Sequence, residues 1–160
     1  MVSALPEPVG RVARFLARTG AEARIEEFAA GTPTATEAAA AVGCELDQIV
    51  KSLLFLCEGR PVLVLIPGGR RADSAKVATA AGSTSAKIAP PGVVRSVTGF
   101  DAGGVAPFPL MVDQILADRA LLTWDLVWVG AGSDRHMAAL APPELLRLTR
   151  ARTIDACVEA

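Results

Sequence analysis

One histidine, His136, and three cysteines, Cys44, Cys57 and Cys157, bound the chemistry this 160-residue chain can carry. A single imidazole cannot build a two-histidine metal site, and the chain has no HExxH helix, EF-hand loop or paired CxxC. No metal and no cofactor are therefore expected. The cysteine spacings match neither a zinc site nor a redox pair, so reduced, buried thiols are the expectation. A Ser-His-Asp triad would have to recruit His136, yet no GxSxG elbow presents a serine, which disfavours that hydrolase design. The turn at residues 67–74, PGGRRADS, lacks the spacing of a phosphate-binding P-loop. GAGSDR at residues 130–135 lacks the third glycine and the long βαβ unit of a dinucleotide fingerprint.

Three segments remain. The first, IVKSLLF at residues 49–55, sets Lys51 and Ser52 in an apolar strand. Burying an unpaired ammonium is costly, so Lys51 either alternates outward to solvent or meets a ligand. The second, TGFDAGGVAPF at residues 98–108, offers Gly99, Gly103 and Gly104 beside Val105 and Pro107. Glycines there would let backbone N–H and C=O groups approach a ligand, or would serve an ordinary turn. In the third, VWVGAGS at residues 127–133, Gly130 and Gly132 leave an open ledge with Ser133 as a hydrogen-bonding group; a structural turn is again the alternative. His136, in the DRHM stretch that follows, reads as a partly exposed loop residue, with a substrate contact as the other option.

These segments need a scaffold. The chain is 51% hydrophobic and 21% charged, enough apolar material for one domain spanning residues 1–160, and its low aromatic content makes the core mainly small and aliphatic. A helix follows Pro6 and Pro8, with Val9, Val12, Phe15 and Leu16 at helical spacing and Gly20 after it. Residues 23–28 read as a strand, and TATE at residues 34–37 as a capping box opening an alanine-rich helix that stops at Gly43. Residues 49–57 and 61–67 form a hairpin of two central strands around residues 58–60. Asp73 caps a helix ending near Gly82, and residues 90–98 form another. Residues 99–109 are a loop. Strands are expected at residues 110–113 and 126–131, joined by a helical segment holding Ile115 and Leu116, and residues 142–148 form a last helix. Hairpins interrupted by single helices argue for an α+β domain with a mixed sheet.

No apolar run approaches the length needed to cross a bilayer, and the N-terminus lacks the pattern of a signal peptide, so a cytoplasmic location is expected. A net charge of −1 and a pI near 5.8 argue against coating duplex DNA, while leaving room for gripping a nucleic-acid end.

In this order the three segments, together with PVLVLIPGGRRADSAKVA at residues 61–78 and LAPPELLRLT at residues 140–149, resemble the YbaK/prolyl-tRNA editing family. The resemblance implies a bent, barrel-like mixed sheet with flanking helices. It also implies a trans-acting aminoacyl-tRNA deacylase that hydrolyses the ester of mischarged tRNA, such as tRNA-Pro carrying alanine or cysteine. Lys51 would be the catalytic cation holding the acceptor end. Ser52, Gly99, Gly103, Gly104, Val105, Pro107, Gly130, Gly132, Ser133 and His136 would bind substrate. The chemistry would be metal-independent and substrate-assisted. The implied partners are the aminoacyl-tRNA acceptor end and a synthetase. A non-catalytic module that binds aminoacyl-tRNA or a synthetase is the alternative, and a small-ester hydrolase a third.

Overall fold

The computed structural model describes residues 5–28 and 34–159. Its elements are α1 (Glu7–Arg18), β1 (Ala23–Glu27), α2 (Ala35–Val42), β2 (Val50–Cys57), β3 (Arg60–Pro67), α3 (Ser74–Ala81), β4 (Lys87–Ile88), α4 (Pro91–Thr98), β5 (Gln114–Asp118), β6 (Val127–Ser133), β7 (His136–Leu140), α5 (Pro142–Thr149) and β8 (Arg152–Ile154). The helices start where the sequence provides a start. Pro8 sits in the first turn of α1, and Asp73 Oδ1 accepts from Ala75 N–H at 3.0 Å and Lys76 N–H at 3.2 Å to open α3. Half of the expected capping box forms at α2. Thr34 Oγ1 accepts from Glu37 N–H at 3.1 Å, but its own hydroxyl engages Glu37 Oε1 at 3.0 Å, so the carboxylate caps the side chain instead of a backbone amide.

The strands form two sheets. One has the order β4-β2-β3-β5-β8, antiparallel from β4 to β3 and parallel from β3 to β8; the other is the antiparallel sheet β1-β7-β6. They meet at one seam, where Ile49 bridges Trp128 in parallel and Gln48 Nε2 donates to Leu126 O at 3.0 Å. The expected bent, barrel-like mixed sheet with flanking helices is thus realised as two sheets, neither closed on itself, linked by the Ile49–Trp128 bridge in an α+β fold.

Strand β3 is apolar at nearly every position because both its faces are covered. Leu63 and Leu65 enter the larger core with Leu54, Phe100, Phe108, Val129 and Leu140, while Val62, Val64 and Ile66 enter a second core with Phe55, Val77 and Leu116. A third, smaller cluster of Ala38, Ala39, Ile49, Trp128, Met137 and Ala139 seats α2 on the seam.

Three expectations are corrected. Residues 110–113 are not a strand, and Ile115 and Leu116 are not helical. Both lie in β5, which runs parallel to β3, and Leu116 is fully buried in the second core. His136 is not a partly exposed loop residue. It opens β7 and is only 3% exposed, because β1 and β6 flank it on both sides. Of the three thiols, all free, Cys57 and Cys157 are buried but Cys44 is only half-buried.

Candidate active site

The seam carries a cleft of about 320 Å³. One wall is the start of β2, with Ile49, Val50, Lys51, Ser52 and Leu53; a second is the α2 N-terminus, with Thr34, Ala35 and Ala38. The third is the glycine loop, with Ala102, Gly103 and Val105, and the fourth is the β6–β7 hairpin, with Gly130, Ser133, His136 and Met137. The three segments singled out in the sequence therefore converge on one concave surface.

Side chains alternate along β2, so Lys51 shares a face with Phe55 and Cys57, whose cluster α3 covers. Lys51 stands at the start of the strand, and the loop leading into α3 passes beside it. There the half-buried ammonium donates to the Arg70 carbonyl oxygen at 2.5 Å. One of its three donors is thereby used, and the carbonyl fixes the direction of the stem. Ser52 lies on the opposite face, and its buried Oγ has no hydrogen-bond partner among the described residues.

The hairpin builds the other polar group. In the three-stranded sheet Glu27, His136 and Ser133 are direct cross-strand neighbours, and such neighbours project to the same side. Ser133 Oγ lies 2.6 Å from His136 Nδ1 and also accepts from Arg135 N–H at 3.0 Å. On the other side, His136 Nε2 is buried without a hydrogen-bond partner among the described residues, with Glu27 Oε2 3.8 Å away. A buried polar atom left unsatisfied costs roughly 1–3 kcal/mol. Ser52 Oγ and His136 Nε2 both sit in this cleft, where a bound group could satisfy them.

Gly104 and Gly130 explain the glycine content. A Cβ on Gly104 would fall 2.6 Å from Ser133 Cα, and one on Gly130 would fall 2.5 Å from Val105 O. The loop and β6 therefore touch backbone to backbone, which no side chain would allow. Helix α1 holds the loop from outside: Arg11 donates to Gly99 O at 2.8 Å and lies 4.7 Å from the Phe100 ring centroid.

Of the residues singled out, Lys51, Ser52, Gly103, Val105, Gly130, Ser133 and His136 line the cleft. Gly104 lies behind its wall, Gly132 packs on the backbone of Pro8 and Val9, Gly99 caps α4 beside Arg11, and buried Pro107 is not part of the lining. Ala35, Ala38, Leu53 and Met137 were not anticipated as lining. Nothing in their types marks them, because apolar residues on helices and strands are most simply core. Among the described residues no group of three or more His, Cys, Asp and Glu side chains gathers as a metal site, and no helix is long and apolar enough to cross a membrane.

A concave cleft with a fixed cation and, among the described residues, two unsatisfied polar atoms has the form of a small-ligand site. The chain belongs to the aminoacyl-tRNA editing domain family, whose model matches residues 29–148. It is 33% identical over 120 residues to a proline–tRNA ligase of Maridesulfovibrio salexigens, covering 73% of this chain and 20% of that one. It is 30% identical over 135 residues to the uncharacterized protein YwhH of Bacillus subtilis, covering 83% and 86%. The chain thus spans about a fifth of that ligase but most of YwhH. A crystal structure of a candidate trans-editing enzyme for prolyl tRNA synthetase superposes with a TM-score of 0.90 at 37% identity, covering 98% of this chain and 100% of the other.

Proposed function

We propose that this chain is a trans-acting aminoacyl-tRNA deacylase that removes a small amino acid, such as alanine or cysteine, from mischarged tRNA-Pro in the cytoplasm. The observation that carries the reading is the position of Lys51, a tethered cation at the edge of a narrow cleft whose far wall is glycine backbone. In this reading the acceptor end lies along Lys51, which acts as a point charge toward a phosphate or the ester oxygen. The aminoacyl group enters between Gly103, Gly130 and Val105, with Ser52, Ser133 and His136 as the polar contacts. Gly99, Gly104, Pro107 and Gly132 fix the backbone around it.

Hydrolysis adds water across the ester. The water oxygen attacks the carbonyl carbon, the bond to the ribose oxygen breaks, and that oxygen takes up a proton. The substrate's own ribose hydroxyl or amine relays the proton, so no protein nucleophile, metal or cofactor enters the step. Positioning and oriented dipoles supply the acceleration. A synthetase is the second expected partner.

The test is a panel of mischarged tRNAs incubated with the unmodified protein and with Lys51→Ala. Deacylation of a tRNA bearing a small amino acid, lost in the variant, supports the proposal. Binding without turnover would point to a non-catalytic module, and hydrolysis of free aminoacyl esters in preference to charged tRNA would point to a small-ester hydrolase.

A further inference from the structure

The hairpin joining β6 and β7 has only Asp134 and Arg135 between its strands, so Ser133 and His136 face each other across the last rung. Ser133 Oγ accepts the Arg135 N–H at 3.0 Å, an arrangement that closes the turn through the side chain. Among the described residues its other hydrogen-bonding neighbour is His136 Nδ1 at 2.6 Å. A hydroxyl has one proton to give, and the pairing that leaves it with an acceptor sends that proton to Nδ1. Nδ1 must then be bare, and the ring proton of a neutral imidazole must sit on Nε2.

We infer that Ser133 is a positioning residue that locks His136 as the Nε2–H tautomer, so that the imidazole presents a hydrogen-bond donor, not an acceptor, to the occupant of the cleft. Two further observations support this. Nε2 is buried with no hydrogen-bond partner among the described residues, so its proton is available to a ligand. Glu27 Oε2 lies 3.8 Å from Nε2, so a proton carried on that nitrogen faces a carboxylate. Glu27 is not part of the cleft lining, and among the described residues Lys51 is the cationic side chain that is. The acceptor is identified only by the proposed function, in which it is the carbonyl or ester oxygen of the aminoacyl group. The lock itself does not depend on that reading.

His136 is the sole histidine of the chain, so its ring nitrogens can be assigned in a long-range 1H–15N spectrum without ambiguity. In the unmodified, ligand-free protein, at a pH high enough for the ring to be neutral, a bare Nδ1 and a protonated Nε2 are expected. A neutral ring protonated on Nδ1 overturns the inference. Ser133→Ala should give a mixture of tautomers and lower kcat/KM on mischarged tRNA by about ten-fold, roughly one hydrogen bond's worth, with KM rising more than kcat falls. Ser133→Thr keeps the hydroxyl and should restore the single tautomer. An unchanged tautomer in Ser133→Ala, or an acyl adduct on Ser133 in mass spectra, also overturns it. Because the spectrum of the free protein reads the lock without turnover, failure of the deacylase reading and failure of this one are distinguishable.

Discussion

The ammonium of Lys51 and the carbonyl oxygen of Arg70, nineteen residues later, lie 2.5 Å apart, tying the first strand of the central hairpin to the loop that follows the second. In the proposed deacylase, removing this cation takes away charge stabilisation at the reacting ester. Lys51→Ala is expected to lower kcat/KM by about 10²-fold or more, in line with loss of one preorganised electrostatic contact. Lys51→Arg should recover little, because a planar guanidinium cannot replace a point charge held by a single carbonyl. Circular dichroism melts should stay close to those of the unmodified protein, which separates lost chemistry from lost fold.

Adjacent glycines in the loop should respond in opposite ways. Gly104→Ala drives a Cβ to 2.6 Å from the Ser133 backbone and should cost about 1–3 kcal/mol, a fall of several degrees in Tm. At Gly103 a Cβ meets nothing within 4 Å, so Gly103→Ala should stay within about 0.5 kcal/mol. Gly103 does line the cleft, so the same variant should raise KM for charged tRNA. Thermal melts and initial rates on the two variants read the contrast.

Acid stability should depend on Glu144. Arg147, bonding Glu144 Oε1 at 2.5 Å, and then the Glu22 amide, bonding Oε2 at 2.7 Å, hold this carboxyl down at about 2 against an ordinary 4.5. The folded value is depressed, so the stabilisation is complete above the ordinary value and is lost as the pH falls toward 2. Urea midpoints of Glu144→Gln and the unmodified protein should differ most at neutral pH and converge between about 4.5 and about 2.

Thiol chemistry should be slow in the folded state. Burial, and then the Asp118 carboxylate, push Cys157 up to about 12, and burial also raises Cys57 and Cys44. Thiolate is the reactive form, so a thiol reagent at pH 8 should label the native protein slowly, at Cys44 first because it alone is half-buried. All three should react promptly in urea.

The central hairpin and the five helices were legible because their signals are local: capping residues, proline starts and the short polar turn at residues 58–60. Strand β5 was not. Its run of apolar residues is buried on both faces, and a short apolar run fits helix and strand equally well by periodicity. Strand β7 was hidden for a different reason. Residues 136–140, HMAAL, lack β-branched and aromatic side chains, and their strand conformation is imposed by β1 and β6 on either side. Missing β7 meant missing that His136 faces Ser133. A two-residue turn at Asp134 and Arg135, read as a hairpin, would have been the signal. Lys51 and the glycine loop were recognisable as a set, but Gly99, Gly104, Pro107 and Gly132 could not be separated from the cleft-lining glycines, since which side of a backbone faces a cavity is a tertiary fact.

The contact of Gly104 with Ser133 and of Val105 with Gly130 leaves no side chain between loop and strand. Such a boundary has no adjustable part: a bulkier residue there dislodges the loop, and nothing smaller than glycine exists. The opposite boundary, formed by Ala35, Ala38 and Leu53, is made of side chains that can be exchanged one at a time. If descendants of this domain have come to admit cargoes of different size, the record of that divergence should be written on α2 and β2, with the glycine side left as the fixed reference against which each was measured.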